Sequence, residues 1–366
     1  MYVTGLTVDG FRNLAATTLQ PREGVNIFHG DNAQGKTNLL EALWLFTGGR
    51  SFRGAKDKEL KNLQRDTAHL TLSFYAEGRP QEATLDIESR RKATLNGLPL
   101  KTASGLAGKF CAVVFSPAHL SLIKDGPEAR RRFIDAAYCP LRPGYIHTLS
   151  EYSRALTQRN ALLKNGMTDE GLLGSWDENL ALLGARVVAA RRAYIKKLLP
   201  EAAAVYDGLS GGREQLTLTY DSILPEGELK EVAGALLSLL REKRREDLAA
   251  GFTTVGPHRE DLTVEIDGLS ARSFGSQGQQ RSAVLALKLA EATLLRQVTG
   301  EQPVVLLDDV MSELDPSRQD YILNQLHGWQ VFITCCEPSS ILRLTGGTAF
   351  HIAGGVITPP EKEESL

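Results

Sequence analysis

The sequence predicts an α/β fold that is interrupted by a mainly helical second lobe, and three observations support this prediction. A short apolar strand at Val25–Phe28 runs into a glycine-rich loop and then into a helix that begins near Lys36. A second apolar run, Val304–Leu307, ends in two consecutive acids. Between these two elements, strand signals give way to apolar residues that recur at helical spacing.

The way these signals alternate along the chain predicts the domain organisation. Residues 1–120 contain the glycine-rich loop and several strands, including a hairpin centred on Asn96-Gly97. Residues 121–250 contain four helical segments, predicted over 128–138, 146–165, 172–199 and 226–249. Residues 251–366 return to alternating strands and helices, with a helix predicted over 279–298. We therefore expect the first and third segments to form one lobe, lobe I, and the middle segment to form an inserted lobe II.

Length and composition indicate an ordinary globular protein. The chain has 366 residues, of which 42% are hydrophobic and 23% are charged, and its formal net charge is −2. A chain of this size buries a sizeable core. Because the charge is nearly balanced, a nucleic-acid site would have to come from local basic clusters.

The sequence carries no targeting signal that we can identify. Its N-terminus lacks a signal-peptide pattern, and no apolar run approaches the roughly 18 residues that span a bilayer. The four cysteines include no CxxC pair, which favours buried free thiols over a zinc site. We expect a cytoplasmic protein with no membrane partner.

The strongest chemical signal is the loop Gly30–Thr37, which matches GxxxxGK[ST] between a predicted strand and a predicted helix. Its glycines let successive backbone N–H groups point into one cradle, and the helix start adds positive potential. We expect Lys36 to reach the β- and γ-phosphates of ATP and Thr37 to supply a hydroxyl to Mg²⁺. The predicted nucleotide-binding residues of this segment are Gly30, Asp31, Asn32, Ala33, Gln34, Gly35, Lys36, Thr37 and Asn38.

Two consecutive acids, Asp308 and Asp309, follow the buried strand that precedes them. They should lie at the carboxyl edge of the sheet, where ligands bind in open α/β folds. We expect Asp308 to hold Mg²⁺, largely through water, and Asp309 to orient the attacking water. The pattern alone is common at strand ends, but together with the glycine-rich loop it predicts an ATPase.

A second candidate phosphate-binding loop, Gly275–Arg281, precedes a helix about 30 residues before Asp308. Ser276 is a suitable N-terminal cap, Gly278 leaves room for a phosphate, and Gln279 follows in the same polar turn. One ATP site does not need two such loops. We therefore expect this loop, through Ser276, to complete the site of a second copy of the chain, which predicts an ATP-dependent homodimer.

The spacing of this loop resembles that of the ABC signature motif LSGGQ, although Gly275 and Gln277 depart from its commonest form. Ser312–Asp315 follows the second acid as the D-loop does in ABC ATPases. The strand Val331–Thr334 lies where those proteins place their switch residue, and Thr334 stands in place of the histidine of transporters. The sequence thus predicts a P-loop NTPase of the ABC/SMC/Rad50 ATPase-head type with an inserted helical lobe.

Several blocks of the chain resemble the RecF family of bacterial DNA-repair ATPases, and they cover nearly the whole chain up to Pro360. The blocks are Phe11–Leu14, Gly49–Arg53, Lys56–Leu60, Phe115–Pro117, Gly126–Asp135, Gln158–Asn160 and Thr253–Asp261. The resemblance implies that Arg12 and Asn13 lie near the nucleotide and that ATP is sandwiched in a dimer. It also implies slow, DNA-stimulated hydrolysis.

The same resemblance implies partners that the residues alone do not identify. These are double-stranded and gapped DNA, the mediator RecR, and, less directly, RecO and RecA, which is loaded at gaps. The implied setting is DNA replication, recombination and repair in the response to DNA damage.

Basic residues that could contact DNA phosphates occur in several clusters, each of which could equally be a solvated helix face. We favour Arg50, Arg53 and Lys56 because they follow the predicted ATPase helix, where ATP could be coupled to DNA. We expect His258 to form a structural hydrogen bond rather than a nuclease centre, since no second cluster of acids accompanies it.

Two other functions stay open from the sequence. A nucleotide-binding subunit of an ABC-type assembly would need a coupling segment and usually a switch histidine, and the helical lobe and Thr334 argue against it. An SMC-like structural ATPase would need a long coiled coil. The separation of about 270 residues between Lys36 and Asp308 leaves room only for a compact lobe.

Overall fold

The computed structural model describes residues 1–166 and 170–358. Its strands are, in chain order, β1 (Tyr2–Asp9), β2 (Thr17–Leu19), β3 (Val25–His29), β4 (Ala68–Ala76), β5 (Arg79–Ile87), β6 (Arg91–Leu95), β7 (Leu98–Pro99), β8 (Ala112–Phe115), β9 (Leu216–Asp221), β10 (Asp261–Ile266), β11 (Leu269–Ser270), β12 (Val304–Asp308), β13 (Val331–Cys335), β14 (Thr348–Ala353) and β15 (Val356–Thr358). The helices are α1 (Lys36–Leu45), α2 (Ser121–Lys124), α3 (Pro127–Tyr138), α4 (Gly144–Lys164), α5 (Glu170–Ser210), α6 (Leu229–Glu242), α7 (Arg244–Ala250), α8 (Gln277–Thr299), α9 (Pro316–Gln325) and α10 (Ser339–Thr345). The acidic tail after Pro360 lies outside the described residues.

The chain divides into two compact units. The first comprises Met1–Leu120, Gly208–Gly212 and the chain from Val284 onward, and the second comprises Ser121–Asp207 and Arg213–Ala283. The first break coincides with the predicted lobe boundary. The second differs, because residues 251–283 group with the second unit and not with the sheet-based lobe to which the sequence assigned them.

The pairing of β10 with β9 explains this difference. The two strands are antiparallel along their whole length, from Asp261 opposite Asp221 to Ile266 opposite Leu216. Strand β9 lies between predicted helices and was not predicted. Because β10 and β11 complete its sheet, the chain up to the second phosphate-loop candidate belongs with the helices.

The first sheet of the first unit is antiparallel, in the order β2-β1-β4-β5-β6-β7. Strand β4 buries every second side chain, including Leu70, Leu72 and Phe74, because successive side chains of a strand point to opposite faces of the sheet. Asn96 and Gly97 turn the chain between β6 and β7 with φ angles of 51° and 78°. Positive φ at both central residues is typical of the predicted two-residue hairpin turn.

The second sheet of the first unit positions the candidate site. Its order is β15-β14-β3-β13-β12-β8, and all neighbours are parallel except β14 and β15. Strands β12 and β13 are buried at every position, as expected for a parallel sheet covered on both faces. Since the carboxyl ends of β3, β12 and β13 share one edge, the loops that follow them share it too.

In the second unit, the largest differences from the predicted bounds concern two helical segments. Helix α5 was predicted to end at Leu199 but continues through Pro200 to Ser210, with Leu198 and Tyr206 fully buried on either side of the proline. The helix predicted over 226–249 is divided at Lys243 into α6 and α7. After this division Asp247 on α7 is fully buried and binds Arg159 of α4.

Within the described part of the chain, no helix combines the length and the apolar character that crossing a membrane would require.

Candidate nucleotide-binding site

The loop between β3 and α1 adopts a conformation that requires glycine at two positions. Gly30 and Gly35 have φ angles of 144° and 115°. A side chain on Gly30 would collide with the carbonyl oxygen of Ile352, and a Cβ on Gly35 would lie 2.9 Å from Cδ2 of Leu14. Gly35 is also the N-cap of α1 and provides no side-chain cap, so the first backbone N–H groups of the helix can bind an anion.

Lys36 is held on this loop by the backbone that precedes it. Its side chain is buried, and its Nζ donates to the carbonyl oxygens of Gly30 at 2.6 Å and Asp31 at 3.1 Å. The same ammonium group lies 3.6 Å from the Sγ of Cys336. The positive charge therefore lies within the curve of the loop that the sequence predicts to surround the phosphates.

Asp308 is bound by two hydroxyl groups. Its Oδ1 accepts hydrogen bonds from Thr37 Oγ1 at 2.8 Å and from Thr334 Oγ1 at 2.9 Å. Burial raises the pKa of Asp308, and the hydrogen bonds from Thr37 and Thr334 oppose that effect. The carboxylate is thus positioned from both sides at the carboxyl end of β12.

Thr37 and Asp308 are a suitable pair for Mg²⁺. Hydroxyl and carboxylate oxygens are hard ligands, and Mg²⁺ in phosphate sites keeps several waters and takes few ligands from the protein. No group of three or more histidine, cysteine, aspartate or glutamate side chains forms a metal cluster in the residues that the structure describes. These residues therefore fit a cation that is held mainly by water and phosphate.

Asp309 begins a sharp turn directly after β12. Its φ angle is 52°, which is uncommon for a residue other than glycine and often marks a functional position. Its backbone N–H donates to Thr334 Oγ1 at 2.9 Å, and its carbonyl oxygen accepts from Ser312 Oγ at 3.0 Å. The turn brings a partly exposed carboxylate to the same sheet edge as Lys36 and Asp308.

Arg12 and Asn13 contact the P-loop region in different ways. Arg12 donates two hydrogen bonds to the fully buried carboxylate of Glu41 on α1, at 2.9 and 3.1 Å. Asn13 donates to the carbonyl oxygen of Ala33 at 3.2 Å and accepts from Asn38 Nδ2 at 2.6 Å. Asn13 thus lies on the loop itself, whereas the guanidinium of Arg12 is bound to the helix behind it.

The three residues favoured as DNA contacts, Arg50, Arg53 and Lys56, differ in their hydrogen-bond partners. Arg53 donates to Asn38 Oδ1 at 2.7 Å, and this bond connects it to the start of α1. Arg50 and Lys56 are exposed, and Lys56 forms the backbone start of a short 3₁₀ helix. All three side chains are exposed, but Arg53 also belongs to the hydrogen-bond network around the P-loop.

The second candidate phosphate loop lies in the second unit and forms a capped helix start. Gln279 N donates to Ser276 Oγ at 3.2 Å, and Ser276 N donates to Gln279 Oε1 at 2.7 Å, which makes a capping box. Helix α8 begins at Gln277, two residues before the predicted start, so Gly278 lies in its first turn. Ser276 is exposed at the tip of this helix.

Sequence reasoning missed Cys336 at the P-loop. The chain has free buried thiols at Cys111 and Cys335, as predicted, but Cys336 is exposed and donates to Asn32 Oδ1 at 3.4 Å. The prediction of buried thiols was wrong for this residue. Strand β13 pairs with β3 so that Cys335 lies opposite His29. This register places the next residue, Cys336, beside the P-loop.

Comparisons with known proteins agree with this geometry at the level of the fold. A family model described as an AAA domain matches residues 6–159. The Smc head domain from Pyrococcus furiosus, solved with the C-terminal domain of ScpA, superposes with a TM-score of 0.56 at 14% identity, covering 98% of this chain and 95% of that one. Together with the P-loop and the acids of β12, this defines a P-loop ATPase of the ABC/SMC type.

Closer relatives give the family. "DNA replication and repair protein RecF" of Heliobacterium modesticaldum is 41% identical over 342 residues, covering 91% of this chain and 92% of the relative. That of Lachnoclostridium phytofermentans is 39% identical over 340 residues, with 92% of each chain covered. A solved structure of the recombination mediator protein RecF with ATP superposes with a TM-score of 0.92 at 37% identity over 98% of both chains. The chain belongs to the RecF family of DNA replication and repair proteins.

Proposed function

We propose that this chain is an ATP-dependent DNA-binding protein of recombinational repair that binds ATP with Mg²⁺ and hydrolyses it slowly. The observation that carries the proposal is the convergence of Lys36, Thr37, Asp308 and Asp309 on one sheet edge. Thr37 and Asp308 lie 2.8 Å apart although 271 positions separate them in the chain. The ATP-bound structure of a relative with a TM-score of 0.92 supports ATP as the ligand.

Each residue of the site has a chemical task in this proposal. Lys36 exchanges its hydrogen bonds to the carbonyl groups of Gly30 and Asp31 for bonds to phosphate oxygens. Thr37 and Asp308 would hold Mg²⁺, which would neutralise phosphate charge when bound. Asp309 orients the attacking water, and the hydroxyl of Thr334 positions the carboxylate of Asp308 and the backbone of Asp309.

ATP also joins two copies of the chain in this proposal. The exposed Ser276, at the N-terminus of α8, covers the γ-phosphate of ATP in the Lys36 loop of the partner. Two points support this arrangement: each chain carries a second candidate phosphate loop at the start of α8, and one ATP needs only one such loop. In each copy, the sheet-based lobe supplies the P-loop and the two acids, and the same chain also carries the helical lobe.

Duplex and gapped DNA is the proposed target of this dimer, with RecR as the direct protein partner and RecO and RecA acting indirectly. The solved relative is described as part of a RecFOR pathway, which supports this assignment. Arg50 and Lys56 are proposed DNA contacts because both are exposed. Arg53 connects the same surface to the nucleotide through Asn38.

The test is steady-state ATP hydrolysis with and without duplex or gapped DNA, compared with Lys36→Met and with Lys101→Met. Lys101 is an exposed lysine outside the P-loop and serves as the matched control. We expect slow hydrolysis that DNA raises in the wild type and in Lys101→Met, and no hydrolysis in Lys36→Met. Equal rates in all three proteins would refute the assignment of the site, and an absence of DNA stimulation and of DNA binding would refute the DNA target.

A further inference from the structure

A cavity of about 590 Å³ lies within the second unit, where two blocks distant in sequence come together. One wall is the start of α3, in the block 126–135, and the other is the block 253–261. Both blocks contribute to the family resemblance, and the ATPase chemistry proposed above uses neither. Three guanidinium groups line the cavity, those of Arg131, Arg132 and Arg259.

Two of these arginines have no carboxylate partner among the residues that the structure describes. Arg131 donates one hydrogen bond to the carbonyl oxygen of Glu260 at 2.6 Å. Arg259 approaches the carbonyl oxygen of Thr253 at 3.4 Å and stacks on the ring of Phe252, 4.8 Å from its centroid. Across the described ranges 1–166 and 170–358, neither Arg131 nor Arg259 forms a salt bridge. Most of their N–H donors are therefore available to a ligand.

The nearby acids are already engaged by other arginines. Arg130 binds both carboxylate oxygens of Asp261 at 2.7 Å, and Arg191 binds those of Asp135 at 2.9 and 2.8 Å. The pKa of Arg131 is lowered by burial and, next, by the charge of Arg191, while Asp261, Glu128 and Tyr220 act in the opposite direction.

The acidic side chains on the cavity wall do not cancel the charge of the arginines. Asp125 and Glu128 line the cavity with the three arginines, and Glu128 forms a salt bridge with Arg132 on the exposed rim. His258 also lines it, but burial lowers the pKa of His258 to about 4, so it is neutral at pH 7. Three positive and two negative groups leave a net charge of +1 on the wall.

The start of α3 adds backbone donors to the same space. The helix is 12 residues long, and its N-cap Gly126 provides no side-chain cap. Pro127 at the first position has no N–H, and Ala129 N donates to the Gly126 carbonyl oxygen at 3.3 Å. The N–H of Glu128 and the positive end of the helix dipole therefore remain available near the arginines, without a competing side chain. Helix starts of this kind bind phosphate when cationic side chains accompany them.

A buried network fixes the opposite wall. Arg159 is fully buried and binds Asp177 at 2.7 Å, Asp247 at 2.6 Å and Thr253 Oγ1 at 2.8 Å. Through Thr253 it anchors the start of the block that bears Arg259. His258 is fixed as well, because its two ring nitrogens lie 2.7 Å from Tyr152 Oη and 3.0 Å from the Thr253 carbonyl oxygen. The cavity wall is thus set before any ligand arrives.

We propose that this cavity binds a phosphate group, with Arg131 and Arg259 as its ligands and the N-terminus of α3 as its backbone cradle. Two sources share this chemistry: a phosphodiester of the DNA backbone, and a free phosphate such as inorganic phosphate. The DNA source rests on the proposed function, whereas the free-phosphate source does not.

The test compares Arg131→Gln and Arg259→Gln with Arg154→Gln, an exposed arginine of α4 that does not line this cavity. Binding of duplex DNA is measured by fluorescence anisotropy at several salt concentrations. Binding of inorganic phosphate is followed by the backbone amide NMR signals of Glu128 and Ala129, with the P-loop saturated by ADP. Thermal unfolding of each variant verifies that it folds, and Arg259, being exposed, should tolerate substitution.

If the source is DNA, each cavity variant weakens duplex binding about tenfold and reduces the slope of log affinity against log salt by about 0.9, while Arg154→Gln binds as the wild type does. If the source is free phosphate, the amide shifts disappear in the cavity variants and DNA affinity is unchanged. The proposal is overturned if the cavity variants match Arg154→Gln in both measurements. A wild type that binds phosphate but no DNA would refute the proposed function and leave the cavity assignment intact.

Discussion

The hydroxyl of Thr37 donates a 2.8 Å hydrogen bond to Oδ1 of Asp308, and this contact joins the start of α1 to the end of β12. The same oxygen accepts from Thr334 at 2.9 Å, so one carboxylate oxygen connects three separate segments of the chain. Thr334 Oγ1 also accepts a hydrogen bond from the backbone N–H of Asp309, so the same hydroxyl contacts both acidic residues.

Changing Thr334 to valine keeps the shape of the side chain and removes its hydroxyl. Asp308 then loses one hydrogen bond and the N–H of Asp309 loses its acceptor, so we expect ATP hydrolysis to fall at least tenfold while ATP still binds. Loss of a buried hydrogen bond should also lower the free energy of unfolding by about 1–3 kcal/mol. Thr334→Ser, which retains the hydroxyl, should restore most of the activity. Valine and serine variants with equal hydrolysis rates would contradict this role.

Changing Asp308 to asparagine should stabilise the protein while abolishing hydrolysis. Burial raises the pKa of Asp308 above its ordinary value of 3.8, so the folded state binds a proton more readily than the unfolded state. Its ionisation therefore costs stability as the pH rises above 3.8, and asparagine removes that cost. We expect a melting temperature a few degrees higher at pH 7–8, with the advantage shrinking as the pH approaches 3.8.

The control for this prediction is Asp320→Asn, which changes an exposed acid on α9. It should leave both the melting temperature and the hydrolysis rate near their wild-type values. A lower melting temperature for Asp308→Asn across the whole pH range would contradict this prediction. It would show that the hydrogen bonds accepted by the carboxylate stabilise the protein by more than the burial of its charge destabilises it.

Nucleotide should protect Cys336 from thiol reagents. Its Sγ lies 3.6 Å from Lys36 Nζ and donates to Asn32, so a phosphate in the loop approaches the same space. Cys336 is the one thiol among the four cysteines that is exposed, and all four lie in the described ranges. We expect alkylation, mapped by mass spectrometry, to modify Cys336 first, to slow at least fivefold with ATP, and to block ATP binding once complete.

Cys336→Ser should bind ATP normally and resist inactivation by the same reagent. Alkylation of Cys336 at an unchanged rate in saturating ATP would contradict the position of the phosphates assumed here.

Local signals in the sequence explain which parts of the site could be predicted. The start of α1 at Lys36 and the end of β12 at Asp308 are where short motifs place them, because glycines, a helix start and a buried apolar run each act over a few residues. The contact of Thr334 with Asp308 could not be predicted, because it depends on the register of β12 against β13. The partner of Arg12 is likewise a long-range pairing with Glu41.

The fold was harder to predict where paired strands are far apart in the sequence. Strand β9 has the alternating sequence Leu-Thr-Leu-Thr, which is a strand signal, but it is short and lies between helical segments. Its pairing with β10 moves residues 251–283 into the second unit. The turn at Lys243, which divides α6 from α7, has no proline or glycine to mark it.

Arg159 should be essential to the stability of the second unit. Replacing it with methionine leaves the buried carboxylates of Asp177 and Asp247 without their shared partner, although Arg244 still binds Asp177 at 2.7 Å. Breaking such a pair typically costs about 3–5 kcal/mol. Urea unfolding should show this loss for Arg159→Met and little change for Arg154→Met, an exposed arginine of the same helix. A difference below about 1 kcal/mol between the two would contradict this role.

The most direct test of the account is the molar mass of the purified protein in saturating non-hydrolysable ATP, determined by light scattering with size-exclusion chromatography. The chain has a mass of 39.9 kDa, so the account predicts twice that value with the ATP analogue and the monomer value with ADP. Ser276→Arg should stay monomeric while still binding the analogue, and Ser150→Arg, at an exposed position on α4, should dimerise normally. A wild type that stays monomeric with bound ATP analogue, with and without gapped DNA, or a Ser276→Arg variant that dimerises, would contradict the central claim that two copies share each nucleotide.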